Sequence, residues 1–515
     1  MLRRGPEGPE GPEGLEGPEG REGAGGAPGG GLPGKGLGMS ADGFDAVVVG
    51  SGPNGLTGAV TLAGAGLRVL LVEGADEFGG GLRSFDLDGA VCDMCATVLP
   101  LARASPAFRD LDLPVEWAEP PIEAAHPLDG QDAVLVHRDA ARTARGLRTR
   151  RDARAWQQTV GAAARAGTPL TDTLLSPLDL PRAPLRAARF GALGLLPATT
   201  VANTVFAGER AKAVFAGMAA HSMLDLRVPV TGAYGLLLAA LAHGTGWPLV
   251  RGGSRRLAEA MIGRLRELGG TAEAGRPVRD LDDIPRAPVI LLDVTPRQFL
   301  AIAGDRLPAG YRRRIGRFRY GPGVFKLDWV LSGPVPWTDP GTSKAATVHV
   351  GGTMAAIAAA EADVARNRHP ERPFVLVVQP CVADPSRAPE KPDKPEGRHV
   401  LWGYCHVPNG SDRDMTDEIE GQIERFAPGF KDLIETRRAH GPAALERHNP
   451  NLVGGDIAGG SARLAQFAAR PVLSLNPWKT PLKGVYLCSA STPPGAGVHG
   501  MGGFHAARRA LRRSR

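Results

Sequence analysis

The tightest constraint on this chain is a turn made of three glycines. The apolar run Phe44 to Val49 ends abruptly in Gly50-Ser51-Gly52-Pro53-Asn54-Gly55, and small residues then continue to Gly66. An apolar run closed by a turn and followed by a helix-compatible stretch predicts strand, tight turn and helix. In Gly50-x-Gly52-x-x-Gly55 the first glycine permits the turn, the second lets backbone approach a pyrophosphate, and the third lets helix and strand pack closely. Arg68 to Val72 is expected to be a second strand, with Glu73 at its end. A carboxylate there can accept both hydroxyls of a ribose and disfavours a 2′-phosphate.

The chain holds 70 glycines, so the three-glycine pattern alone would carry little. Its context carries it: strand before, helix after, an acid at the next strand's end, then Gly79-Gly80-Gly81 with Arg83. Together these predict dinucleotide binding, with the phosphates on helix N–H groups. The helix dipole adds only about 0.3–1 kcal/mol to anion binding, so directed N–H bonds must dominate.

A second αβ unit is expected further on. Leu257, Met261, Leu265 and Leu268 share one helix face, Gly269-Gly270 stops the helix, and Pro288 to Leu292 is extended. Strand-like runs at Phe325 to Leu331, Thr347 to Val350, Pro373 to Gln379 and His399 to His406 predict a separate mixed sheet. The chain then returns to a strand, Gly484 to Cys488, a tight loop, and a terminal helix starting close to Val498.

The stretch from Asp45 to Arg83 resembles the FAD-binding start of the phytoene desaturase and amine oxidase superfamily, and the stretch from Tyr486 to Leu511 is similar to its flavin-binding close. The resemblance runs from about residue 44 to 511, is loose in the middle, and is nearest to the phytoene dehydrogenase-like branch. It implies that Gly50, Gly52, Pro53, Asn54 and Gly55 face the pyrophosphate of FAD and Glu73 its adenosine ribose. Gly80, Gly81 and Arg83 would lie on the phosphate or flavin side, and Val278 would give backbone contacts to adenine. Gly495, Gly497, Val498 and Met501 would lie against the isoalloxazine, with the helix N-terminus beside a reduced, negatively charged flavin. Two departures stand out. Ser489, Ala490 and Ser491 occupy a stretch where many superfamily members place an acid, and Leu99 stands before Pro100 where the nearest branch is expected to have histidine.

The fold expected is α/β: a Rossmann-like FAD-binding domain assembled from discontinuous segments, with an inserted mixed-sheet substrate domain. Its parts are residues 43–110, 225–300 and 445–515 for FAD, and 111–224 (helical) and 301–444 (mixed sheet) for substrate. Residues 1–42 form a Gly/Pro/Glu-rich tail, with glycine at every third position from Gly5 to Gly23. It is too short and acidic for collagen and is expected to be disordered, with translation starting at Met39.

Composition narrows the function classes. Hydrophobic residues are 43% and charged residues 22% of 515, enough for a sizeable core. The net charge of +7 comes with an arginine cluster, Arg138 to Arg154, that lacks interleaved aromatics. It reads as a solvated helix face, with an anionic membrane surface or acidic partner as the alternative, and not as a nucleic-acid site. Five cysteines make no disulfide framework, and the longest apolar stretch falls far below the roughly 20 residues that span a bilayer. A cytoplasmic protein is expected, with any membrane contact peripheral; the sequence leaves the oligomeric state open.

Cys92 and Cys95 form a CxxC, but no second glycine fingerprint supplies the NAD(P)H site that a dithiol–flavin reductase needs. Core thiols are the simpler reading, and no metal site is expected. His349, Gln379, Trp402, Tyr404 and His406 fall on strands where alternate side chains could line a cavity, and His499 sits beside the terminal helix. No catalytic residue is assigned. The leading expectation is oxidation or isomerisation of a small apolar, isoprenoid or lipid-like substrate by hydride transfer to FAD. The alternatives are a flavin amine oxidase and a scaffold or chaperone-like protein that keeps the fold without turnover.

Overall fold

Strands Ala46–Val49, Val69–Val72 and Val289–Leu292 contain no polar residue, the signature of parallel strands covered on both faces. In the computed structural model, which describes residues 43–176, 184–388 and 397–512, they form the centre of a five-stranded sheet. The tail and Met39 lie outside the described residues. Val485–Leu487 and Thr271–Glu273 are the edge strands, and every pairing is parallel. Alternate side chains separate the two faces. Ala46, Val48, Val69, Leu71 and Leu291 pack under helices Pro53–Gly64, Arg255–Glu267 and Met501–Leu511, whereas Val47, Leu70, Val72 and Leu292 pack against Phe299, Tyr311 and Ile315.

The chain winds outward from Ala46–Val49 through Val69–Val72 to Thr271–Glu273, then returns to the other side of the first strand at Val289–Leu292 and continues to Val485–Leu487. The winding reverses between Ala46–Val49 and Val289–Leu292. Ligands of open α/β sheets bind at the carboxyl ends of the strands flanking such a reversal.

The second sheet has seven strands, in the order Ile434–His440, Gly323–Leu331, His399–Val407, Val375–Val378, Ala345–Val350, Ile122–Leu128 and Gln131–Val136. It is mixed, because Ala345–Val350 runs parallel to Ile122–Leu128 while the other pairs are antiparallel. One face packs on Ile419, Ile423 and Phe430. The other carries Leu376, Val378 and Trp402 into a core with helices Glu209–Ala220 and Thr231–His243.

Two pieces of chain sit elsewhere than their sequence neighbours suggest. Helix Thr231–His243 belongs to the second-sheet core, and the chain returns to the parallel sheet only after it; Tyr311 and Ile315 still belong to the parallel-sheet core. The exposed arginines Arg142, Arg145, Arg150, Arg151 and Arg154 lie on helices Ala140–Gly146 and Arg150–Gln158, while Arg138 pairs with Glu119 and Glu123. Among the described residues no helix is long and apolar enough to cross a membrane.

Candidate dinucleotide and substrate site

The glycine turn closes onto itself and onto the neighbouring strand end. A Cβ on Gly55 would stand 2.0 Å from the Gly50 carbonyl oxygen, so any side chain there forces the turn apart. The Gly55 N–H, at the start of helix Pro53–Gly64, donates to Asp293 Oδ2 at 2.9 Å. Asp293 directly follows Val289–Leu292 and is buried; burial, with a smaller push from the Glu73 charge and against the Gly55 N–H, raises its carboxyl to about 7. Sequence reading missed Asp293. The signal was the one that singled out Glu73, an acid at the carboxyl end of a strand beside the turn.

Glu73 is half-buried and braces the turn. Its Oε2 accepts from the Ser51 N–H at 2.8 Å and the Ser51 hydroxyl at 2.6 Å, and its Oε1 accepts from the Ala75 N–H at 2.9 Å. The Ser51 hydroxyl in turn accepts from the Gly79 N–H at 2.9 Å, joining the second glycine loop to the first. Gly80, at φ +55°, comes so near that a Cβ on it would lie 3.1 Å from Gly52 Cα. The buried Arg83 guanidinium donates to the Gly80 and His448 carbonyls at 3.1 and 2.9 Å, which fixes this loop. Val278 follows a segment whose Arg276 N–H donates to the Glu73 carbonyl at 2.8 Å, placing it beside the same strand end.

The terminal segment completes the site. Gly503 crosses helix Pro53–Gly64 so closely that a Cβ on it would stand 1.7 Å from the Asn54 carbonyl oxygen. Asn54 Oδ1 accepts from the Gly502 N–H at 3.1 Å, and His499 Nδ1 accepts from the Met501 N–H at 3.1 Å, so His499 caps the terminal helix. The Met501 side chain packs with Ala107 and Leu175. Gly495 and Gly497 both have positive φ, +112° and +120°. In place of the acid expected after the last strand, Ser489 donates to the Val294 carbonyl at 2.8 Å and Ser491 to the Gly459 carbonyl at 2.7 Å.

A cavity of about 370 Å³ begins at Gly52, Pro53, Asn54 and Asp293, passes Gly81, Gly497 and Val498, and ends under the second sheet. Its far end is walled by Leu238, Trp247, Leu376, Val378, Trp402 and Tyr404, with Leu99 between the two ends. Trp402 Nε1 donates to Thr97 Oγ1 at 2.9 Å, tying wall to wall. Gly50, Gly55, Glu73, Gly80, Arg83, Val278, Gly495 and Met501 lie outside the lining. Of the second-sheet candidates, Trp402 and Tyr404 reach the cavity; Gln379 instead bonds Trp337 and the Ala345 carbonyl, and His406 bonds Glu361 at 2.8 Å. Cys95 lines the cavity, but burial pushes its thiol up to about 11 and Cys92 higher still, so neither is a ready thiolate. His221, Tyr234, Asn449 and Asn451 are lining residues that sequence reading did not single out.

Comparison with known proteins agrees with this geometry. Residues 48–111 match the model of the NAD(P)-binding Rossmann-like domain. The chain is 32% identical over 149 residues to mouse pyridine nucleotide-disulfide oxidoreductase domain-containing protein 2, covering 27% of this chain and 24% of that protein. It is 33% identical over 107 residues to one of the subunits of limonene dehydrogenase from Castellaniella defragrans, covering 20% of each. An oxidoreductase from Methanosarcina mazei superposes with a TM-score of 0.60 over 91% of this chain and 99% of its own, at 14% identity. A putrescine oxidase variant redesigned in its cofactor binding does so at 0.57 over 91% and 98%, at 15% identity. The chain shares the fold of these two oxidoreductases. Its match spans about a quarter or less of the length of the relatives compared by sequence, and the likeness to the solved structures is one of fold.

Proposed function

We propose that the protein is an FAD-dependent oxidoreductase that dehydrogenates or isomerises a small apolar substrate held under the second sheet. The observation that carries this reading is the single cavity that joins the Gly50–Gly55 turn to an apolar chamber of tryptophan, tyrosine, leucine and valine. FAD fits the residues present. The turn excludes side chains at Gly52 and Gly55, Glu73 keeps one lone pair, on Oε1, for a ribose hydroxyl, and the apposed Gly80 leaves backbone where phosphates need it. When bound there, FAD supplies hydride acceptance.

The chain's own residues supply position and exclusion of water. Leu99, Leu238, Leu376 and Val378 favour apolar surface, and Trp247 and Trp402 add broad flat walls. Among the lining residues Asp293 is the one carboxyl, and it sits at the glycine turn. An ammonium in the chamber would therefore have no carboxylate to meet, which favours an apolar substrate over the amine oxidase alternative. The presence of limonene dehydrogenase among the relatives points the same way.

Titration of FAD into the apoprotein tests the reading. Wild type should bind with spectral changes and be reducible by dithionite. Glu73→Ala should bind at least about tenfold more weakly, since each ribose hydrogen bond to a carboxylate contributes roughly 1.5–3 kcal/mol. Glu73→Gln should be milder. Equal dissociation constants for wild type and Glu73→Ala would remove the ribose contact, and absence of FAD binding would remove the proposal.

A further inference from the structure

Behind the chamber lies a row of buried imidazoles that the cofactor site does not use. His221, directly after helix Glu209–Ala220, lines the cavity and meets the Trp247 ring edge-on at 5.7 Å. Its Nε2 is 3.0 Å from Nε2 of His349, which is wholly buried. Beyond His349 stands His126, also wholly buried, whose Nε2 lies 2.7 Å from the Gly352 carbonyl oxygen. Gly217 separates the last two: a Cβ on it would stand 2.8 Å from His349 Nδ1 and 2.9 Å from His126 Nδ1, and neither nitrogen has a hydrogen-bond partner.

This row fixes where the hydrogens sit. Burial pushes His126 down to about 4, His349 well below its usual value and His221 to about 3, with neighbouring histidines and, at His126, Arg210 adding repulsion, so all three rings are neutral near pH 7. A carbonyl only accepts, so His126 carries its hydrogen on Nε2. One hydrogen lies between His349 and His221. Placed on His221, it would leave His349 with an N–H on Nδ1, buried and without an acceptor; orphaned buried N–H groups are rarer than orphaned acceptors. The hydrogen therefore belongs to His349 Nε2 and is donated to His221 Nε2. With Nε2 engaged as acceptor, His221 carries its own hydrogen on Nδ1, the nitrogen left for the cavity.

We infer that His221 is a specificity-determining residue that donates a hydrogen bond to a neutral oxygen on an otherwise apolar substrate, its tautomer set by His349 and His126. The inference rests on the chamber being the substrate site. It narrows the substrate class to apolar molecules bearing a carbonyl, ether or hydroxyl oxygen. His349 is the positioning residue, since it touches no cavity surface and acts through His221.

Calorimetry on the FAD-loaded protein with carvone and limonene, which share a terpene skeleton and differ by a ring ketone, tests this directly. Carvone should bind about tenfold more tightly than limonene, the preference worth one neutral hydrogen bond. His221→Phe should erase that ratio while limonene affinity stays within about twofold. His221→Asn, whose amide N–H falls where Nδ1–H stood, should restore part of it. Equal affinities in wild type, an undiminished ratio in His221→Phe, or no carvone binding at millimolar concentration would each overturn the inference. The same pair measured on protein that fails to take up FAD separates the two readings: loss of FAD binding sinks the cofactor assignment, whereas the carvone preference and its loss in His221→Phe report on His221 alone.

Discussion

The two ends of the cavity are held together by opposite means. Around the glycine turn, backbone meets backbone: Gly55 against Gly50, Gly80 against Gly52, Gly503 against Asn54. Contacts this close admit no side chain, and their geometry is fixed by residue size alone. The second sheet and its junction with the first are held by buried polar groups instead. Lys326 pairs with Asp328 inside the sheet, and Arg387 joins Asp384 to Asp93, all fully or almost fully buried. The first end should be intolerant of a methyl group, with charge entering only through Glu73 and Asp293 beside the turn; the second should answer chiefly to loss of charge. A site that must grip one invariant cofactor can be built from fixed backbone, while a chamber that selects among substrates needs polar groups whose hydrogens can be placed.

The largest effect is expected at Arg387. Its guanidinium donates to Asp384 at 3.0 Å and to Asp93 at 2.9 Å, and Asp93 also accepts from Ser84 and from the Ser254 N–H. Arg387→Met leaves the buried Asp93 without its cation and Asp384 with only the half-exposed Arg251 at 3.6 Å, and should cost about 3–5 kcal/mol in chemical denaturation. Adding Asp93→Asn and Asp384→Asn to the same chain should recover much of that loss. If the triple variant is no more stable than Arg387→Met, the junction is held by shape rather than by charge balance. At the other end, Gly503→Ala should cost at the top of the about 1–3 kcal/mol typical of overpacking, because the obstacle is the Asn54 carbonyl and not a movable side chain. It should also weaken FAD binding, since Asn54 belongs to the turn. A thermal shift under about 1 °C for Gly503→Ala would show that the helices slide apart freely.

This division also decides what the sequence revealed. The turn, its two strands, Glu73 and the terminal strand and helix were legible because a glycine spacing between an apolar run and a small-residue run has few structural solutions. Only four strands of the seven-stranded sheet were legible, and not their order: Ile434–His440 was missed, and Ile122–Leu128 and Gln131–Val136 fall in the 111–224 stretch expected to be helical, because Ala345–Val350, the strand that ties this pair to the sheet, lies more than 200 residues away. His221, Asn449 and Asn451 were invisible for the same reason: nothing local marks a residue whose role comes from distant partners. The histidine expected at position 99 is not there, and Leu99 gives that part of the cavity an apolar wall. Asp293 could have been read, because it follows an apolar strand just as Glu73 does.

Asp293 gives the smallest effect at neutral pH and the sharpest test of how far charge reaches the glycine end. Its carboxyl faces the Gly55 N–H, feels the charge of Glu73, and lies near the Cys488 thiol, which burial and that carboxyl push upward. Burial raises it from the usual 3.8 to about 7, so between those values the folded chain holds a proton that the unfolded chain has released. Stability contributed by this group is therefore full below pH 4 and declines as pH rises towards 7. A pyrophosphate bound at the same turn adds negative charge beside Asp293 and favours its protonated form further. FAD affinity should accordingly fall as pH rises between about 6 and 9, by at most tenfold per unit. In Asp293→Asn the amide oxygen still accepts from Gly55 N–H but cannot ionise. That variant should bind FAD about twofold more tightly than wild type at pH 7 and show a flat profile above it. Parallel slopes for the two proteins would mean that the Asp293 charge does not reach the phosphates, and that the glycine turn answers to size alone.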